Sequence, residues 1–157
     1  MSIKNKVATG VTVAVLAIAT PFIAKWEGLE TTAYKDIVGV PTVCYGETRG
    51  VKMGDTYTKE QCFQMLTKAV GDYYKDLQPY MKNQNIPVGV QASLLELAYN
   101  VGVNKAGTST MMNLANQGNY KQACNELRKW VKAGGQTVQG LVNRRSDSKV
   151  QLCMKGL

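Results

Sequence analysis

Read for apolar and polar positions, the chain starts with MSIKNK and then runs VATGVTVAVLAIATPFIA over residues 7 to 24, eighteen positions without a charge. As a helix, that run covers about 27 Å at 1.5 Å per residue, barely the thickness of a hydrocarbon core. Half of its residues are Ala, Gly or Thr, so insertion into lipid is only weakly favoured. Lys4 and Lys6 before it predict a cytoplasmic N-terminus with the remainder exported. Two other readings share these residues. Ala17-Ile18-Ala19 fits a signal-peptide cleavage site. Thr20-Pro21 has the chemistry of an N-cap followed by proline at the first helical position, which would make PFIAKWE a short helix of a globular domain, ending near Glu27 and Gly28.

From Thr31 to Gly54 the pattern changes to Thr, Tyr, Val and Gly, predicting short strands joined by turns. Thr58 with Gln61 matches a capping box ahead of a long amphipathic helix, KEQCFQMLTKAVGDYYKDLQPYM, whose Phe63, Leu66, Val70 and Tyr74 fall at helical spacing. Pro87 opens PVGVQASLLELAYNVG, where Leu94, Leu95, Leu97, Ala98 and Val101 predict burial on most sides. STMMNLANQG is a short helix stopped by Gly118. NYKQACNELRKWVKAGG is another, with Asn119 and Gln122 spaced as a capping box and Gly134-Gly135 as the stop. A last helix spans roughly Thr137 to Met154. A small β region followed by a larger helical part is an α+β arrangement.

The 157 residues suit one globular domain. A formal net charge of +8 predicts attraction to a polyanion. The basic residues are scattered and form no nucleic-acid-binding motif, so nucleic acid is not expected as a partner. The chain has no histidine, which removes the commonest general base and most metal sites; catalysis would rest on carboxylates, and no metal or cofactor is expected. Cys44, Cys62, Cys124 and Cys153 form no CxxC pair. An even count behind an export signal favours disulfides over buried thiols. Of the three pairings, Cys44 with Cys62 and Cys124 with Cys153 would each tie neighbouring elements of one half of the domain.

Glu27 falls where a helix gives way to glycine, and Asp36 in the first hairpin. Two carboxyls on different elements can flank a glycosidic bond, one protonating the leaving oxygen and the other serving the attacking water. Glu27, eight residues, Asp36, five residues, Thr42: this spacing resembles the Glu-Asp-Thr triad of the phage-type lysozymes. The resemblance continues through YKDIVGVPTVCYGET, AYNVGVNKAGTSTMMNLANQGNY and ACNELRKWVKAGGQTVQGLVNRR, covering Trp26 to the C-terminus. It implies a two-lobed fold with a small β lobe and a larger α lobe joined by a long helix, flanking a peptidoglycan groove. It further implies Glu27 as general acid, Asp36 as partner carboxylate and Thr42 as the residue that positions water. Tyr45, Asn100, Gly102 and Thr110 fall in motifs that border the groove in relatives.

The weakly apolar N-terminus is similar to that of the signal-anchor-release subset of these endolysins. The implied organisation is a releasable anchor at 1–24 and a catalytic domain at 25–157, monomeric, held in the inner membrane through residues 7–24 and then freed into the periplasm. Arg144 and Arg145 are expected to form intramolecular ion pairs, Trp26 and Trp130 to pack, and Glu30 and Glu47 to be solvated. Rival readings are a cationic lysis protein that perforates bilayers without chemistry, and a wall-binding relative without activity.

Overall fold

Helix α1 runs without interruption over Ile3–Glu27 in this computed structural model, which describes residues 3–157, with side chains described from Gly10 onward. The side chains of Lys4 and Lys6, and those of the first three positions of the apolar run, lie outside that description. Pro21 sits inside the helix. The separate short helix expected from Thr20-Pro21 is therefore not formed. Thr20 is buried, and its hydroxyl has no partner among the described residues. Packing overrides the cap chemistry: Val15, Ala19, Phe22 and Ile23 are buried in the main core, and α1 lies along α3 and α2. Gly28, at φ 75°, ends the helix by turning the chain into a conformation that glycine adopts without strain.

Strand β1, Glu30–Lys35, pairs antiparallel with β2, Pro41–Cys44, with Tyr34 opposite Thr42 and Lys35 opposite Pro41. Ala33, Val43, Cys44 and Cys62 form a small core of their own beneath this hairpin. Helix α2, Lys59–Leu77, leaves the β lobe behind the capping box of Thr58 and Gln61, both of whose hydrogen bonds form. Its buried face is Cys62, Leu66, Ala69, Val70, Tyr74 and Leu77, whereas Phe63 points outward and is 41% exposed. A 3₁₀ turn, Gln78–Tyr80, extends it.

Helix α3, Val88–Val101, is the centre of the larger lobe: every residue from Val90 to Ala98 is buried. Gly89 lets it approach the C-terminal segment, because a Cβ there would lie 2.3 Å from the carbonyl oxygen of Leu152. Short helices α4, Val103–Gly107, α5, Thr110–Asn116, and α6, Tyr120–Asn125, follow. The capping box expected of Asn119 and Gln122 is not made, since Asn119 caps α6 without a side-chain hydrogen bond. Gly134-Gly135 is the turn of a small hairpin between β3, Lys132–Ala133, and β4, Gln136–Thr137, so the helix has already ended in a 3₁₀ turn at Glu126–Lys129. Helix α7, Gln139–Ser148, passes into a π turn, Lys149–Cys153.

The two disulfides expected are present. Cys44–Cys62 fastens β2 to α2 inside the β lobe, and Cys124–Cys153 fastens α6 to the C-terminal turn. Tyr45 packs against both cores, and its carbonyl oxygen accepts the Tyr99 hydroxyl at 3.1 Å, so it joins the lobes.

Candidate active site

Glu27 is the last residue of α1, and its side chain is 21% exposed. Its Oε1 accepts Nη2 of Arg144, on α7, at 2.9 Å. Its Oε2 faces the loop after β2, where a Cβ built on Gly46 would lie 3.8 Å away. One carboxyl oxygen is thus held from the helical lobe while the other looks toward the β lobe.

Arg144 also donates Nε to Oε1 of Glu96, which is fully buried on α3. The other oxygen of Glu96 lies 3.5 Å from Nη1 of Arg145. Arg145 donates Nε to the Trp130 carbonyl at 3.0 Å and Nη2 to Oδ1 of Asn100. The ion pairs expected of the two arginines therefore form, and Glu27, Arg144, Glu96, Arg145 and Asn100 are one connected chain of charged and polar groups. Burial works against the charge of both guanidiniums. For Arg144 the carboxylates of Glu96 and Glu27 outweigh it and raise the guanidinium above its ordinary value. For Arg145 burial prevails and lowers it, yet an arginine remains charged at any working pH.

Asp36 stands at the start of the turn between β1 and β2. Its Oδ1 accepts the amides of Val38 at 2.9 Å and Val40 at 2.8 Å, and its own amide donates to the Val40 carbonyl at 3.0 Å. Thr42 is 4% exposed, and its hydroxyl donates to that same Val40 carbonyl at 2.9 Å. One turn residue thus holds both side chains. Ile37 and Val38, at its tip, point into solvent.

The remaining expected residues are spread along the lobe boundary. Tyr45 is half-buried between the cores, Asn100 is bound to Arg145, Gly102 ends α3 at φ 102°, and Thr110 is exposed at the first position of α5. A cavity of about 320 Å³ lies between the loop after β2 and helices α2 to α4, bordered by Gly46, Glu47, Arg49, Asp72, Tyr73 and Tyr99. A larger hollow, about 670 Å³, lies against α1 and is bordered by Phe22, Lys25, Val88, Asp147 and Gln151; neither Glu27 nor Asp36 lines it. Burial raises the Tyr99 hydroxyl well above the ordinary tyrosine range, reinforced by the charge of Glu27. Glu47 is not merely solvated: Arg49 bonds its carboxylate through Nε and Nη2, both at 3.0 Å, and holds it below the ordinary carboxylate range.

Three residues that sequence reasoning did not single out matter here: Glu96, Tyr99 and Asp147. Glu96 carried one signal, as the only charged residue in VGVQASLLELAYNV.

A small hairpin lobe joined by a long helix to a larger helical lobe, with Glu27 at their edge, is the two-lobed arrangement that the lysozyme resemblance implies. The phage lysozyme family profile matches residues 24–148, and the chain belongs to that family. It is 38% identical to the SAR-endolysin of Enterobacteria phage P21 over 99% of this chain and 97% of the relative. It is 42% identical to the SAR-endolysin of Pseudomonas phage phiKMV over 90% and 89%. The fold is shared with the active form of the P1 phage endolysin Lyz, at a TM-score of 0.77 and 23% identity, covering 94% of this chain and 93% of the other.

Proposed function

We propose that this chain is an endolysin that hydrolyses the β-1,4 bond between N-acetylmuramic acid and N-acetylglucosamine, with Glu27 protonating the leaving oxygen. The observation that carries this is the placement of Glu27, at the end of α1 with one oxygen on Arg144 and the other toward the β lobe. Asp36 and Thr42 serve the attacking water. Both amide bonds to Asp36 fall on Oδ1, and the one proton of the Thr42 hydroxyl goes to Val40, so Oδ2 of Asp36 and the Thr42 oxygen meet water as acceptors. Two acceptors on one water direct its lone pair elsewhere, toward the anomeric carbon, and the product is inverted. Release of reducing ends from purified peptidoglycan tests the reading, with Glu27→Gln abolishing it. Retained product configuration, followed by NMR during turnover, would overturn the inverting assignment.

The same reading gives residues 1–24 a second placement. Gly10–Glu27 is long and apolar enough to cross a membrane. Before release, the segment lies in the inner membrane with the N-terminus cytoplasmic and the catalytic part periplasmic. In that position α1 cannot pack on α3, and Glu27 cannot reach Arg144. Apolar burial does not choose between the states, because lipid and core both shield Val15, Phe22 and Ile23 from water. Polar contacts choose: Arg144 to Glu27, and Asp147 to Lys25 and Trp26. Equal activity of embedded and released protein would contradict this control. The released form acts as a monomer.

A further inference from the structure

A general acid bonded to a guanidinium is under strain of purpose. An opposite charge at hydrogen-bonding distance favours the carboxylate, whereas the reaction proposed above consumes the protonated form. Arg144 is not free to act on Glu27 alone, however. Its Nη2 reaches Glu27 and its Nε reaches Glu96, so one cation is divided between two carboxyl groups. Glu96 is 0% exposed, and the two cations against it, Arg144 and Arg145, are buried with it.

We propose that Glu96 is a positioning residue for the general acid: by fixing and partly neutralising Arg144 from below, it limits the pull of Arg144 on Glu27. This rests on Glu27 being the acid. A carboxylate buried in the apolar helix α3 is costly unless it is paired. Its pairing here serves the groove, because the guanidinium it holds ends on Glu27. Arg145 takes a share of the same carboxyl group, 3.5 Å from Oε2 and held in place by Trp130 and Asn100. The charged or titratable groups facing this cluster are Glu27 from α1, Glu96 and Tyr99 from α3, and Arg144 and Arg145 from α7. Tyr99 in turn faces Tyr73, and Glu47 and Arg49 on the loop after β2.

The arrangement predicts opposite effects for two substitutions in the full chain. Glu96→Gln leaves Arg144 to Glu27 alone, so the alkaline limb of the pH–rate profile for peptidoglycan hydrolysis moves down by about one pH unit, with KM within about twofold of the unsubstituted protein. Arg145→Gln leaves Glu96 to Arg144 alone and moves the limb up. Circular dichroism and a thermal melt accompany each profile. If Glu96→Gln does not fold, the Arg145→Gln profile decides. A folded variant with reduced Tm and an unmoved limb shows Glu96 to be structural only and overturns the proposal. So does a movement in the opposite direction. Absence of hydrolysis by the unsubstituted chain is a different failure, that of the enzymatic reading itself.

Discussion

Trp26 donates its indole N–H to Oδ2 of Asp147 at 2.9 Å, and Lys25 reaches the same oxygen at 2.9 Å, so a single carboxylate on α7 holds the last turn of α1. The Lys25 hydrogen bond, with help from Trp26 and against the cost of burial, keeps Asp147 below the ordinary carboxylate range. A lowered folded value means stabilisation that is complete above the ordinary value, near pH 4, and is lost as pH falls through the lower one. Asp147→Asn therefore lowers Tm at pH 7, and the difference from the unsubstituted protein closes as pH falls below the ordinary carboxylate value. Parallel melts across pH check this; a constant difference would refute it.

Gly89 leaves no room for a side chain against the Leu152 carbonyl, and the obstacle is backbone, not a side chain that can swing aside. Gly89→Ala is expected to cost at least about 2 kcal/mol of stability, despite the better helix propensity of alanine. Denaturant unfolding measures it, and a neutral or stabilising result would show that α3 and the C-terminal turn can separate at little cost.

The bridges Cys44–Cys62 and Cys124–Cys153 span 18 and 29 positions in sequence. Loops of that size make each bridge worth about 3 kcal/mol, or roughly 10 °C in Tm for a chain of this length. Cys124→Ser with Cys153→Ser should show the loss in calorimetry. The paired change at Cys44 and Cys62 falls in the β lobe and should also slow hydrolysis, because β2 carries Thr42.

Ala17 and Gly10 are exposed on α1 in the packed form. Replacing both with leucine adds lipid-facing apolar surface without disturbing the face that meets α3. Lysis of expressing cells should be delayed, while the purified soluble protein keeps its rate. Unchanged lysis timing would count against control by release.

Much of the scaffold was legible because local chemistry and tertiary packing agree: the Thr58 box opens α2 as its spacing predicts, and the apolar run of α3 is buried. Where they diverge, local signals misled. Thr20-Pro21 carries the chemistry of a helix start, but the residues before it continue the same buried stripe, and a helix already formed upstream has no need of a cap. Gly134-Gly135 fits a helix stop and a two-residue hairpin turn equally well in sequence. In the candidate site, Glu27, Asp36 and Thr42 were marked by spacing. Glu96 was not, because an acid inside an apolar helix has no visible partner until α7, 48 positions further on, is folded against it.

Val40 offers its amide to Asp36 and its carbonyl to Asp36 and Thr42. The hairpin is consequently a ruler: Ile37 and Val38, which face solvent, can be replaced with little effect on the turn, but one residue added or removed between Asp36 and Thr42 would shift both side chains together. Sequence diversity at this tip should be broad in character and nearly fixed in length.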